Sequence, residues 1–252
     1  MTFFEKCLKK LRKASGKHGY TCDSCGAELF DYPTIRLCEE CEARIERNDG
    51  KVCEKCGRKT VADGVCSTCK DNLPTFTYGV SPFVYRAETA ALVNRIKNGN
   101  RRLAFYFGEQ MTAAFLRRFP IESLAAEEIL IVPVPLSKEK RRERGYNQAE
   151  EIAEALFDCL RAQGVNASLD ADVLYKKRDA EQQKHLGVTK RRENAVGAYH
   201  LHKRKLCQGK TVLLVDDILT TGATGSACAK PIATAGAKTV ILLTVASLPE
   251  RK

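Results

Sequence analysis

Val212-Leu213-Leu214-Val215-Asp216-Asp217-Ile218-Leu219-Thr220-Thr221-Gly222-Ala223-Thr224 is the stretch from which the rest of this chain is read. The aliphatic run predicts a buried strand over residues 211–215. Two carboxylates follow, and then a loop of hydroxyl and small residues that opens a helix expected from residue 222 to about 235. Backbone N–H groups at a helix start point at an anion, a glycine allows close approach and threonine hydroxyls add donors, so a phosphate belongs at Thr220, Thr221, Gly222, Ala223 and Thr224. The carboxylates of Asp216 and Asp217 just upstream suit hydroxyl groups. A ribose bearing a 5-phosphate meets both demands, with Mg²⁺ bridging a diphosphate on the same sugar. In isolation an Asp-Asp pair before a turn is more often a strand end and helix cap; the whole string makes the case.

Working outward, Glu128-Ile129-Leu130-Ile131-Val132 is a second buried run that ends at Pro133, and residues 239–245 are a third. Helical spacing marks residues 87–97 and 103–119. From 147 to about 163, Ala149, Ile152, Ala153, Leu156, Phe157 and Leu160 recur at i, i+3, i+4 and i+7. Strands alternating with helices predict an α/β fold, a parallel sheet flanked by helices. Pro231 is expected to kink or shorten the helix that contains it.

The first 74 residues differ. Of the chain's 12 cysteines, eight form four Cys-x-x-Cys pairs: Cys22 with Cys25, Cys38 with Cys41, Cys53 with Cys56, and Cys66 with Cys69. Two such pairs close a tetrahedral four-thiolate site, which predicts two structural Zn²⁺ ions. Sequential pairing is the simplest arrangement, interleaved pairing the alternative. Gly26 and Gly57 follow a pair, as a tight knuckle requires. Cys7, Cys159, Cys207 and Cys228 stand singly and read as buried packing residues. Asn72-Leu73-Pro74 breaks the chain, so the expected domains are a zinc-binding module over residues 1–74 and a sheet domain over 75–252. Residues 2–13 place Phe3, Phe4, Leu8 and Leu11 on one helical face. They read first as a short helix capping the module, and second as a partner-docking or membrane-surface helix.

The 252 residues carry 42 Lys and Arg against 31 Asp and Glu, a net +11 that favours phosphate-bearing partners. Two zinc ions on eight thiolates would bring this to about +7. No apolar run is long enough to span a membrane and the first 13 residues lack a signal-peptide block, so a cytoplasmic protein is expected. A reducing compartment also favours metal over disulfides.

Residues 214–224 resemble the PRPP (5-phosphoribosyl diphosphate) signature of type I phosphoribosyltransferases over its whole length. Val132-Pro133-Val134-Pro135-Leu136-Ser137 with Arg144-Gly145-Tyr146-Asn147-Gln148-Ala149, the run from Arg178 through Ala180, Gln183 and Leu186 to Gly197-Ala198, and the cysteine module together resemble the ComF family of competence-associated proteins. The resemblance implies that Asp216 and Asp217 contact the ribose 2- and 3-hydroxyls and that Thr220–Thr224 cradle the 5-phosphate. Ser137 and Lys138 would hold diphosphate, with Arg144 adding charge, and Lys97 would reach a phosphate. Arg178 would belong to a flexible loop that closes the site, in which alanine stands at position 180 where the family has threonine.

By that resemblance the chain is expected to transfer a phosphoribosyl group, releasing diphosphate, in DNA uptake. Residues 246–249 offer no aromatic to stack a base, so the acceptor is undeclared. The competing expectation is a PRPP-sensing adaptor that engages a helicase-like partner or single-stranded DNA. The basic runs Lys176-Lys177-Arg178, Lys190-Arg191-Arg192 and Lys203-Arg204-Lys205 would serve the latter.

Overall fold

The computed structural model describes residues 21–29, 36–177 and 197–250. The stretch 2–13, Cys7, the run 178–196 with Arg178, and the cluster at 190–192 lie outside the described residues. Helices run over Glu39–Ala43 (α1), Ser67–Asp71 (α2), Ala87–Lys97 (α3), Leu103–Arg118 (α4), Ile121–Leu124 (α5), Lys138–Arg144 (α6), Gln148–Ala162 (α7) and Ala223–Thr234 (α8). Strands are Tyr78–Val80 (β1), Phe83–Val84 (β2), Ile129–Pro133 (β3), Ala167–Leu169 (β4), Leu174–Lys176 (β5), Tyr199–Leu201 (β6), Thr211–Leu219 (β7) and Thr239–Ser247 (β8).

The main sheet has the order β1-β8-β7-β3-β4, with β2 also against β8, and every pairing in it is parallel. Strand alternation divides the side chains between two faces. Ile129, Ile131, Leu213, Val215, Ile241 and Leu243 enter the core beneath α3, α4 and α7. Leu130, Val132, Val212, Leu214, Val240 and Leu242 enter the core beneath α8. Both faces are covered, which is why these strands read as continuous apolar runs. Gly225 makes the α8 packing close: a Cβ there would lie 2.5 Å from Leu242 Cδ2.

One sequence expectation changes. The central strand does not stop at Val215; Asp216 and Ile218 stay in register with Thr244 and Ala246 of β8, so both carboxylates lie on strand β7. The helix that contains Pro231 runs over Ala223–Thr234, close to its expected span. The basic run after Pro135 is helical. Ser137 caps α6 by accepting from Lys140 N at 3.3 Å, arginines fill its last turn, and Gly145 ends it at φ 79°. A separate antiparallel hairpin, β5–β6, packs on α8.

The four-cysteine segments are joined to the sheet rather than appended to it. Cys22 and Cys41 share the apolar core with α4 and α7, whereas Cys53, Cys56, Cys66 and Cys69 share the opposite core with β7 and α8. At the second knuckle Gly57 (φ 70°) presses on the sheet edge, where a Cβ would sit 2.1 Å from Gly79 O. Gly79 N in turn donates to Lys55 O at 2.8 Å.

Candidate functional site

The site lies at the carboxyl ends of β3, β7 and β8, where ligands of open α/β sheets bind. Adjacent residues of a strand point to opposite faces. Asp217 therefore turns toward α3 and α7, and Asp216 toward α8. Lys97 Nζ, at the end of α3, lies 2.9 Å from Asp217 Oδ2. Gln148 Nε2, in the first turn of α7, donates to the same oxygen at 3.0 Å. Gln148 Oε1 accepts from Arg144 Nη1 at 2.8 Å. The result is a relay from Arg144 through Gln148 to Asp217, with Lys97 closing it.

The Arg-Gly-Tyr-Asn-Gln run supports this relay residue by residue. Gly145 turns the chain, Tyr146 OH donates to Ile96 O and accepts from Gly99 N, and so locks the end of α3 that carries Lys97. Asn147 caps α7 by accepting from Ala149 N at 3.1 Å and donates Nδ2 to Val134 O at 3.0 Å. Sequence reasoning named Lys97 for a phosphate; the structure sets it on the Asp217 carboxylate. It missed Gln148 as a site residue, although the capping position of Asn147 before an amphipathic run was a usable signal.

On the other face no ion pair to Asp216 is seen among the described residues, and its Oδ1 accepts from Asp217 N at 2.9 Å. Burial, and then the neighbouring Asp217 charge, push its carboxyl up to about 8. Cys228 on α8 lies beside it, its thiol held well above the ordinary value by burial and by Asp216. The two carboxylates thus differ: Asp217 is paired, whereas Asp216 is the one that gains from a hydroxyl donor or a cation.

Past Leu219 the loop turns into α8 through Gly222, whose φ of 79° favours glycine. Thr221 Oγ1 accepts from Ala223 N at 3.3 Å, and Thr220 and Thr224 are exposed. Ser137 and Lys138 stand at the carboxyl end of β3, Lys138 exposed. Among the described residues, the candidates Lys97, Ser137, Lys138, Arg144, Asp216, Asp217 and Thr220–Thr224 all belong to the ends of β3 and β7 or to the helices beside them.

The cysteines form two sequential groups, Cys22, Cys25, Cys38 and Cys41, and Cys53, Cys56, Cys66 and Cys69, each with its sulfurs within 4.8 Å of one another. Thiolates on a tetrahedral zinc at about 2.3 Å stand roughly 3.8 Å apart. Cys25 and Cys38 are 3.7 Å apart at Sγ, and so are Cys56 and Cys66. Amides donate to the sulfurs as knuckles require: Ser24 N and Cys38 N to Cys22, and Cys56 N and Cys66 N to Cys53. Hydrogen bonds from the Cys56 and Cys69 thiols, and from those amides, hold Cys53 far below an ordinary thiol. Both donor sets fit zinc.

The second group roofs the loop at Thr220–Thr224. Arg58 Nη2 donates to Thr220 O at 2.8 Å, and Glu250 Oε1, past β8, accepts from Ser67 N at 2.7 Å. Between this roof and α8 opens a cavity of about 550 Å³ whose walls include Arg58, Phe76, Tyr199, Thr221 and Lys230. Residues 246–249 lack an aromatic, but Phe76 and Tyr199 reach the loop's neighbourhood from distant sequence.

A family model described as a phosphoribosyl transferase domain matches residues 142–252, a span holding Gln148, Asp216, Asp217 and the loop. Competence protein ComFC of Bacillus subtilis (strain 168) is 26% identical over 200 residues, covering 76% of this chain and 75% of that protein. DNA utilization protein YhgH of Escherichia coli O157:H7 is 26% identical over 212 residues, covering 81% and 87%. Among solved structures, glutamine phosphoribosylpyrophosphate amidotransferase from B. subtilis complexed with ADP and GMP matches at TM-score 0.33 and 21% identity, covering 58% of this chain and 27% of that one. A score that low says nothing about the site. No helix among the described residues is long and apolar enough to cross a membrane.

Proposed function

We propose that this chain, which belongs to the ComF family, binds PRPP with Mg²⁺ at the ends of β3 and β7 and transfers its phosphoribosyl group to an acceptor during DNA uptake in the cytoplasm. The observation that carries this reading is the Asp216-Asp217 pair, one carboxylate held by Lys97 and Gln148 and the other without an ion pair among the described residues, directly before a loop that opens α8. Amides and hydroxyls of Thr220–Thr224 would take the 5-phosphate. Asp216 and Asp217 would orient the ribose through its hydroxyls. Ser137, Lys138 and Arg144 would hold the diphosphate, and Arg178 would close the site.

In the reaction the C1–O bond of the ribose breaks, diphosphate leaves with the electron pair, and a lone pair of the acceptor forms the new bond to C1. Catalysis would come chiefly from charge: cationic side chains on the leaving group and carboxylates on the sugar. Mg²⁺, when bound, would neutralise the diphosphate further. Among the described residues no carboxylate cage of three or more ligands is preformed, which suits an ion arriving on the substrate. The two four-cysteine groups would each hold a structural Zn²⁺ and keep the roof in place.

A second reading has its own support. The β5–β6 hairpin stacks Tyr175 on His202 at 4.0 Å and on His200 at 5.5 Å, beside the cations Lys176, Lys177, Arg204 and Lys205. Aromatic faces among cations suit a single DNA strand, which a PRPP-sensing adaptor could present to a helicase-like partner.

Calorimetric titration of the zinc-loaded protein with PRPP and Mg²⁺ tests the first reading, with Asp216→Ala/Asp217→Ala as the control. Binding that disappears in the control is the expected result, and diphosphate release would then identify the acceptor. Undiminished binding by the double variant would refute the site assignment.

A further inference from the structure

Arg58 is 4% exposed and, among the described residues, no carboxylate lies within ion-pair distance of it. A guanidinium cannot shed its charge in a protein, so a buried one needs an anion. The anion here is the second four-cysteine group. Arg58 Nε donates to Cys56 Sγ at 3.2 Å. Four thiolates around one divalent ion carry a net charge of about −2, so the metal-loaded group still demands a cation.

The other arm of the same planar fork does something else. Nη2 donates at 2.8 Å to the carbonyl of Thr220, the first residue of the loop that opens α8. Fixing that carbonyl fixes the plane of the Thr220–Thr221 peptide, and so the direction of the first loop N–H. Beyond it stand only the weak 3.3 Å bond of Ala223 N to Thr221 Oγ1 and the first helical bond, Ser226 N to Gly222 O. Thr220 itself is exposed. Among these described bonds, Arg58 is the tie from the roof to the loop. It reaches across 162 positions of sequence to a backbone atom.

We infer that Arg58 is a positioning residue that couples metal occupancy of the second four-cysteine site to the conformation of the phosphate loop. When Cys56 Sγ is held in a metal-bound tetrahedron, the guanidinium is anchored and presents Nη2 to Thr220 O. When the metal is lost, the anchor goes and the loop loses its fixed peptide. Affinity for a 5-phosphate on a ribose then falls, although no residue that would touch the ligand has changed. The inference rests on the reading of Thr220–Thr224 as the phosphate loop, and deepens it by giving that site a metal-dependent control.

Hydrogen exchange on the full chain tests this without substrate. The peptide spanning residues 219–227 contains both of these bonds, and residues 128–134, which include β3, serve as the internal reference. Arg58→Lys keeps a cation beside Cys56 but cannot span both acceptors with a planar fork; Arg58→Gln removes the charge. Zinc content is measured on each variant, and wild type is compared loaded and stripped. The expected result is two zinc ions per chain in Arg58→Lys, exchange over 219–227 at least fivefold faster than in loaded wild type, and an unchanged reference. Stripped wild type should show the same local acceleration.

Ribose 5-phosphate should bind Arg58→Lys at least tenfold more weakly, with inorganic diphosphate unaffected. Loop exchange in Arg58→Lys equal to that of loaded wild type overturns the coupling. Should both variants lose zinc, loaded against stripped wild type decides, and equal loop exchange in those two overturns it as well. Failure of intact protein to bind ribose 5-phosphate would instead sink the phosphate-loop reading, an outcome the exchange data leave distinguishable.

Discussion

Lys97→Met tests whether the cation at the end of α3 belongs to the resting site. Lys97 Nζ stands 2.9 Å from Asp217 Oδ2, with side chains 20% and 11% exposed. At an effective dielectric of about 20, unit charges at that distance attract by roughly 6 kcal/mol. Partial desolvation of both ions takes back most of this, so leaving Asp217 without its cation should cost about 2 kcal/mol. A chain of this size loses roughly 2–4 °C of melting temperature per kcal/mol, so Lys97→Met should melt about 4–8 °C lower at pH 8.

Asp217→Asn in the same background should recover most of the loss, because an amide oxygen still accepts from Gln148 and no unpaired charge remains. The double-mutant cycle should give a coupling of about 1–3 kcal/mol. Urea unfolding of the four proteins at pH 8, without ligand, supplies every number. A coupling below about 0.5 kcal/mol at pH 8 would show that the pair contributes nothing to the resting site, and would leave Lys97 to the phosphate role suggested by its sequence position.

Asp216 should make the stability of the fold depend on pH. Its folded-state carboxyl sits at about 8, raised by burial and by Asp217, above an unfolded value near 3.9; its contribution to stability is thus full below about pH 4 and is lost as pH rises through about 8. Asp216→Asn should therefore be about 1–2 kcal/mol more stable than wild type at pH 9 and equal to it at pH 4, by urea unfolding, and a loss of stability at pH 9 would refute the account. Gly57→Ala should cost about 3 kcal/mol or more, because φ is 70° and the new Cβ would meet Gly79 O at 2.1 Å, backbone against backbone. Thermal melting with zinc quantification should show a large loss, and an unchanged melting temperature would mean that the second knuckle does not press on β1.

What the sequence determined is what local chemistry can determine. Aliphatic runs at 129–132 and 212–215 needed burial on both faces and so a parallel sheet. The spacing of Ile152, Leu156 and Leu160 gave α7 its apolar stripe, and cysteine pairs named their own ligand geometry. The resemblance carried by Asp216 to Thr224 put the candidate site at the end of β7. Sequence reasoning misjudged the extent of β7, because ladder bonds to β8 carry it through Asp216 and Asp217 whatever their own preference. It could not see α6, whose seven residues bury nothing and leave no periodic stripe.

The partners of each charge were left to tertiary structure. Lys97 to Asp217, Gln148 to Asp217 and Arg58 to Thr220 join positions far apart in the chain. So did the sequential grouping of the cysteines, which spacing alone left open beside an interleaved one. A pattern of residues fixes which surfaces must be buried. Which buried donor meets which buried acceptor depends on how finished elements dock, and that is decided only when the sheet, its helices and the four-cysteine roof close on one another.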